Sequence, residues 1–88
     1  MKLTKEDKRL LQSWGVEERN FAQIEEALNA TKTKYELNGK PISRERAIEL
    51  LGRKDYLSGI VRSAFHYTAA RETQTGETVL FDSYNLFR

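Results

Sequence analysis

His66 is the only histidine in the chain and the only side chain whose ordinary pKa lies near neutrality. A metal site built on one histidine needs carboxylates at a suitable spacing, and neither His-x-x-His nor His-Glu-x-x-His occurs. As a general base, His66 would need an orienting partner and a substrate proton within hydrogen-bond reach. The absence of cysteine excludes a thiol nucleophile and thiolate metal ligands. The residues therefore predict a protein that is not an enzyme and that uses neither a metal nor a cofactor.

Ser58, Arg62 and His66 are spaced four residues apart within a predicted helix, so they share one face of it. This row could form a polar recognition surface, or an anion site in which a hydroxyl assists the Arg62 guanidinium. The plainer interpretation is an ordinary polar row on an amphipathic helix. The sequence leaves both interpretations open.

Positive charge is concentrated in the middle of the chain. The net charge of +2 is too small to argue for nucleic-acid binding by itself. Residues 31–72, however, hold nine basic and five acidic side chains, whereas residues 1–30 hold five basic and six acidic ones. These basic residues could simply be solvated, or they could form part of a binding surface.

The middle segment invites comparison with a winged helix-turn-helix protein, in which a β-hairpin lies beside two helices. In a typical unit, a small buried residue precedes the turn glycine by four positions and a buried aliphatic residue follows it by six. Around Gly52 these positions hold Ile48 and Ser58, so the register does not fit. DNA contact would use Arg62 in a groove and the other basic residues on phosphates. The candidate interaction surface consists of Arg44, Arg46, Arg53, Lys54, Ser58, Arg62 and His66.

Two helices are predicted at the N-terminus. Thr4 is a suitable N-cap for the first, and Gly15 a suitable end. The second begins near Glu17 or at Asn20, because Asn20 and Gln23 have the spacing of a capping box.

A β-hairpin is predicted next. Asn38-Gly39 lies between two extended segments and favours a tight turn, since both residues tolerate positive φ. Pro41 limits the second strand to a short or edge position. A later β-prone run over residues 78–81 is a candidate third strand beside this hairpin.

Two further helices are predicted after the hairpin. Ser43 caps the third, over residues 44–51, and Asp55 caps the fourth, which is expected to run to about Arg71. The fourth helix would also carry a second, narrow stripe against which a neighbouring element could pack closely. This stripe consists of Gly59, Ser63, His66 and Ala70. The predicted fold class is thus α+β and mainly helical.

The length of 88 residues indicates a single domain over residues 1–88. The first residues are charged and do not resemble a signal peptide, and no apolar run approaches the ~20 residues of a membrane span. These observations predict a cytoplasmic protein with no membrane contact. A core of this size would also gain stability from homodimerisation, although no residue requires it.

Three segments, residues 35–52, 57–60 and 62–69, carry a resemblance: YELNGKPISRERAIELLG, LSGI and RSAFHYTA. They are similar to uncharacterised small proteins of phages and integrative elements of Firmicutes. The resemblance implies no catalytic residue and no ligand. It implies the work typical of such proteins, which is binding a host or defence protein or regulating transcription.

The leading functional hypothesis is a non-catalytic protein that acts through protein–protein contact. Aromatic side chains beside arginines are common at the centre of such interfaces. The aromatic residues expected at the surface are Tyr56, Tyr67, Tyr84 and Phe87. The hydrophobic end, Tyr84–Arg88, is expected either to dock on the core or to meet the partner. The alternative is a winged-helix-like DNA-binding regulator that uses residues 31–72.

Overall fold

The computed structural model describes residues 2–30 and 32–83. In that part of the chain, four strands form an antiparallel sheet in the order β2–β1–β4–β3. The elements, in chain order, are α1 (Lys5–Ser13), a 3-10 turn (Glu18–Asn20), α2 (Phe21–Asn29), β1 (Lys34–Leu37), β2 (Lys40–Ile42), α3 (Arg44–Leu51), α4 (Arg53–His66), β3 (Thr68–Glu72) and β4 (Thr78–Asp82). The α+β class with a predominance of helix is confirmed. No helix of the described residues is long and apolar enough to cross a membrane.

The caps of α1 and α2 differ because the backbone before each helix differs. Thr4 is extended, and its hydroxyl accepts a bond from the Asp7 amide at 3.1 Å while the Asp7 carboxylate accepts one from the Thr4 amide at 2.9 Å. The predicted start of the first helix is therefore confirmed. Asn20 has a helical backbone and makes no side-chain cap bond, so the predicted capping box with Gln23 is wrong. The 3-10 turn leads directly into α2 instead.

The predicted hairpin is present as β1 and β2. Asn38 and Gly39 both have positive φ, 51° and 84°, which matches the right-handed twist of the two strands. Pro41 lies in β2, at one edge of the sheet. The candidate later strand is confirmed as β4, which pairs with β1.

The predicted fourth helix is wrong at both ends. It begins at Arg53, with Asp55 in its first turn rather than at its cap, and it ends at His66. Tyr67 adopts a left-handed backbone with φ of 70°, and its carbonyl accepts a hydrogen bond from the Ser83 amide at 2.7 Å. The chain therefore turns back and pairs with β4 as β3, which gives two strands after α4 instead of one.

Helix α4 lies against the sheet at Gly59, the residue of the helix that has no side chain. A Cβ atom at residue 59 would lie 2.6 Å from Cε1 of Phe81, so only glycine permits this approach. Ser63, one turn further on, is also fully buried. The predicted narrow stripe is thus confirmed at these two positions, whereas His66 is exposed and Ala70 lies in β3.

Three aromatic rings fill the space between α4 and the sheet. Tyr35 and Phe81 meet edge to face with ring centroids 5.5 Å apart, and Tyr56 is 5.8 Å from Phe81. The hydroxyl groups of Tyr35 and Tyr56 share a hydrogen bond of 2.7 Å, and burial raises the pKa of both phenols. The prediction of Tyr56 as a surface aromatic is wrong, since it is completely buried.

A chain of hydroxyl groups crosses the core beside these rings. The Ser83 hydroxyl donates to Ser63 at 3.0 Å, and the Ser63 hydroxyl donates to the Ile60 carbonyl at 3.2 Å. Thr33 completes the chain at 3.2 Å from Ser83. Each buried hydroxyl therefore has a partner, and the chain ties α4 to the end of β4.

We expect Gly59→Ala to destabilise the protein by about 1–3 kcal/mol, because the added methyl group would overpack the Phe81 ring. An exposed glycine in a helix would respond in the opposite direction, with a gain of about 0.5–1 kcal/mol. Urea denaturation measures the free energy of unfolding. The control is Gly59→Ala with Phe81→Leu, whose combined cost should fall below the sum of the single costs. A neutral or stabilising Gly59→Ala would contradict the close approach.

Candidate functional site

Arg53 joins α4 to α1 through a buried carboxylate. Its Nη2 lies 2.6 Å from Oδ2 of Asp7 and its Nε lies 3.3 Å from Oδ1, so the pair is bidentate. Asp7 is only 2% exposed. Arg53 thus holds two helices together, which accounts for this member of the predicted interaction surface without an external ligand.

Three other residues of the predicted interaction surface lie outside this ion pair, and the two arginines among them have different partners. Arg44 donates from Nη1 to the Leu28 carbonyl at 2.9 Å and so fixes the end of α2 to the start of α3. Arg46 forms an exposed ion pair with Glu49 at 2.5 Å, and Lys54 is exposed on α4. None of these residues lines the cavity that holds the rest of the predicted set.

Ser58, Arg62 and His66 do come together, on one wall of a cavity between α4 and the end of α1. The cavity has a volume of about 490 Å³, and we call it the α1–α4 groove. The row predicted on one helix face is therefore present. The residues that line the groove are Trp14, Gly15, Val16, Ser58, Val61, Arg62, Phe65, His66 and Arg71.

Two large aromatic side chains of the groove are open to solvent. Trp14 is 37% exposed at the end of α1, and Phe65 is 42% exposed on α4. Val61 lies one turn before Phe65 and is half-buried on the same wall, while Val16 lies beyond the turn that ends α1. The groove therefore presents an apolar surface that the described residues leave accessible.

Arg71 is a groove residue that the sequence did not place at this site. Its Nε donates to the Ser58 hydroxyl at 2.7 Å and its Nη2 to the Ser58 carbonyl at 3.3 Å. Its Nη1 donates to the Ala70 carbonyl at 2.7 Å. Because Arg71 was expected at the end of a helix, its position on β3 opposite Ser58 could not be foreseen.

The groove carries two arginines that form no ion pair with the described residues. None of its lining residues is acidic, and the ion pairs among residues 2–30 and 32–83 include neither Arg62 nor Arg71. A second cavity, of about 550 Å³, lies on the exposed face of the sheet and shares both Arg62 and Arg71, and Glu36 and Asp82 line it as well. The α1–α4 groove is therefore the site where exposed aromatic side chains lie beside the two arginines and no acidic residue contributes to the lining.

The other predicted features are the surface aromatic residues, the docking of the C-terminal segment and the lack of a metal site. Tyr67 is exposed as predicted, whereas Tyr84 and Phe87 lie outside the described residues, as does the expected docking of the C-terminal segment. Among the residues that the structure describes, no group of three histidine or carboxylate side chains could hold a metal ion.

Comparison of the chain with protein-family models, with curated proteins and with solved structures finds no match. What the protein does is therefore inferred from the groove itself.

The Asp7–Arg53 pair makes stability depend on pH in a defined window. Burial, the largest influence, opposes ionisation of Asp7, but the hydrogen bonds and charge of Arg53 together with the bonds of Thr4 outweigh it, so the Asp7 pKa is below its ordinary 3.8. The unfolded chain then binds more protons than the folded one below about pH 4. The stabilisation is complete above that pH and is lost as pH falls through the lowered pKa of the folded state.

We expect Asp7→Asn to lower the free energy of unfolding by about 1–3 kcal/mol at pH 7, because it leaves Arg53 without its charged partner. The difference from the wild type should shrink as pH falls below about 4, where Asp7 itself becomes protonated. Urea denaturation of both proteins between neutral pH and pH 3 measures this difference. Glu49→Gln, which removes the exposed partner of Arg46, is the control and should cost far less. A difference that is independent of pH would contradict the assignment.

Proposed function

We propose that the protein is a non-catalytic binding protein and that it contacts another protein through the α1–α4 groove. The observation that carries the proposal is the exposure of Trp14 and Phe65 in one cavity that also presents Arg62 and Arg71. Tryptophan and arginine are enriched among the residues that dominate binding energy at protein interfaces. The groove thus combines exposed aromatic side chains with arginines, as such interfaces do.

The resemblance to small proteins of phages and integrative elements suggests the kind of partner. Such proteins often act on a host or defence protein, so we propose that the groove engages a cytoplasmic protein of the host. Modulation would then follow from occupying a surface of that protein and would need no chemical step.

The winged-helix-like DNA-binding alternative remains a prediction, and it would need a different surface. In the fold, Arg53 is bound to Asp7 and Arg44 to the Leu28 carbonyl, while β1 pairs with β4 within the sheet rather than standing free as a wing. A DNA-binding reading would therefore rest on Lys54 and Arg62. Binding to duplex DNA that weakens steeply with added salt and depends on both residues would favour this alternative.

The proposed contact can be tested by capture from a lysate of the native host with three variants. We expect one protein to be recovered by the wild type and to be lost with Trp14→Ala or Phe65→Ala, because each removes apolar area from the groove. Loss of a central aromatic residue should weaken the isolated complex by about 2 kcal/mol or more. Calorimetry with the purified partner measures the affinity.

Leu80→Ala is the matched control, since Leu80 is 41% exposed but lies on the exposed face of the sheet. It should leave capture unchanged. Failure to recover any protein, or recovery that is insensitive to both groove variants, would contradict the proposed function.

A further inference from the structure

We propose that Arg71 is a carboxylate-binding subsite of the α1–α4 groove, and that the partner inserts a segment with an acidic side chain next to a large apolar one. This proposal rests on the proposed function, because it names the chemistry of the partner at the same site. The carboxylate contact would provide specificity for the partner, whereas the apolar contact would provide affinity.

The hydrogen bonds of Arg71 leave a defined pair of donors. A guanidinium has five N–H groups, one on Nε and two on each Nη. The Nε group and one group of Nη2 donate to Ser58, and one group of Nη1 donates to the Ala70 carbonyl. One N–H therefore remains on each Nη nitrogen. The two Nη nitrogens are one of the two pairs of atoms with which arginine binds a carboxylate in a bidentate manner, the other being the Nε and Nη2 pair that Arg53 uses on Asp7.

Ser58 holds this pair of donors in position. Its hydroxyl and carbonyl both accept bonds from Arg71, and its own hydroxyl donates to the Asp55 carbonyl at 2.9 Å. The guanidinium on β3 is thereby fixed to the backbone of α4. A group that is already ordered loses less conformational entropy when a ligand binds, which favours a specific contact over a diffuse one.

The surrounding charges favour an anion at this point. Arg62 lines the same groove, and no acidic residue lines it within the part of the chain that the structure describes. A carboxylate that enters the groove would therefore meet two guanidinium groups, which also line the second cavity with Glu36 and Asp82 but form no ion pair within the part of the chain that the structure describes. A cationic or neutral polar group would gain no such interaction.

The apolar wall favours a peptide segment over a nucleic acid. Trp14, Val16, Val61 and Phe65 line the same groove as the two guanidinium groups, and the cavity of about 490 Å³ has room for only a few side chains. A phosphate could also bind the Arg71 pair, but a nucleic-acid backbone would leave the valines uncovered. A peptide segment with an acidic residue beside a leucine, phenylalanine or tryptophan would contact both the apolar side chains and the guanidinium groups of the groove.

The test uses the whole protein to select binders from a phage-displayed library of random peptides. We expect the wild type to enrich peptides in which aspartate or glutamate lies near a large apolar residue. Arg71→Gln should abolish the acidic preference and weaken a selected peptide about 10- to 100-fold, the loss expected for a charge-assisted bond. Arg71→Lys keeps the charge without the paired donors, and it should restore only part of the affinity.

Lys54→Gln is the matched control, because it removes one positive charge from α4 outside the groove. It should leave selection and affinity unchanged. Ser58→Ala removes one of the two Ser58 acceptors that hold Arg71, and it should weaken the binding of acidic peptides while leaving the apolar contact intact. Thermal unfolding establishes that each variant is folded before it is compared.

The outcomes separate the two proposals. Enriched peptides that are apolar without acidic residues, and that bind Arg71→Gln as well as the wild type, would overturn the carboxylate subsite and leave the apolar contact standing. Enriched acidic peptides that bind Trp14→Ala and Phe65→Ala normally would contradict the placement in the groove. The absence of any enriched peptide would contradict both proposals. Tight binding of an oligonucleotide through its phosphates at Arg71 would overturn the choice of a peptide.

Discussion

The contact of helix α4 with Phe81 determines how closely this helix lies against the sheet. Because residue 59 has no side chain, the helix approaches the ring closely and buries the face that carries Leu57, Ile60 and Ser63. The same contact also decides which face of α4 is left exposed. Its face with Arg62 and Phe65 turns away from the sheet and becomes one wall of the groove. The close packing of the core and the exposure of the candidate site are therefore two results of one constraint.

Helix α1 supplies the other wall, and its position is set at its start. Asp7 meets Arg53 at the beginning of α4, and Trp14 shares the groove with Phe65 further along both helices, so α1 and α4 run in the same direction. The ion pair is partly buried, and its geometry depends on the Thr4 cap that also holds the Asp7 carboxylate. A single capping unit thus begins the helix and fixes it to its neighbour.

The sequence predicted the local elements well and the distant contacts poorly. Asn38-Gly39 and the Ser43 cap have chemistry that acts within a few residues, and both are present where expected. The end of α4 was missed because Tyr67, not a glycine, takes the left-handed backbone, and because Ala69 and Ala70 favour a helix until β4 pairs with them. That error also hid Arg71 from the site.

The row of Ser58, Arg62 and His66 was foreseeable from helical spacing, but Trp14 was not, since only tertiary packing brings α1 beside α4. Trp14 is also the only tryptophan of the chain, so its fluorescence reports directly on the groove. The most direct measurement is the emission and acrylamide quenching of Trp14 with and without a bound partner. Occupation of the groove predicts a shift of the emission to shorter wavelength and protection from quenching. Binding that calorimetry detects while Trp14 emission and quenching stay unchanged would contradict the account.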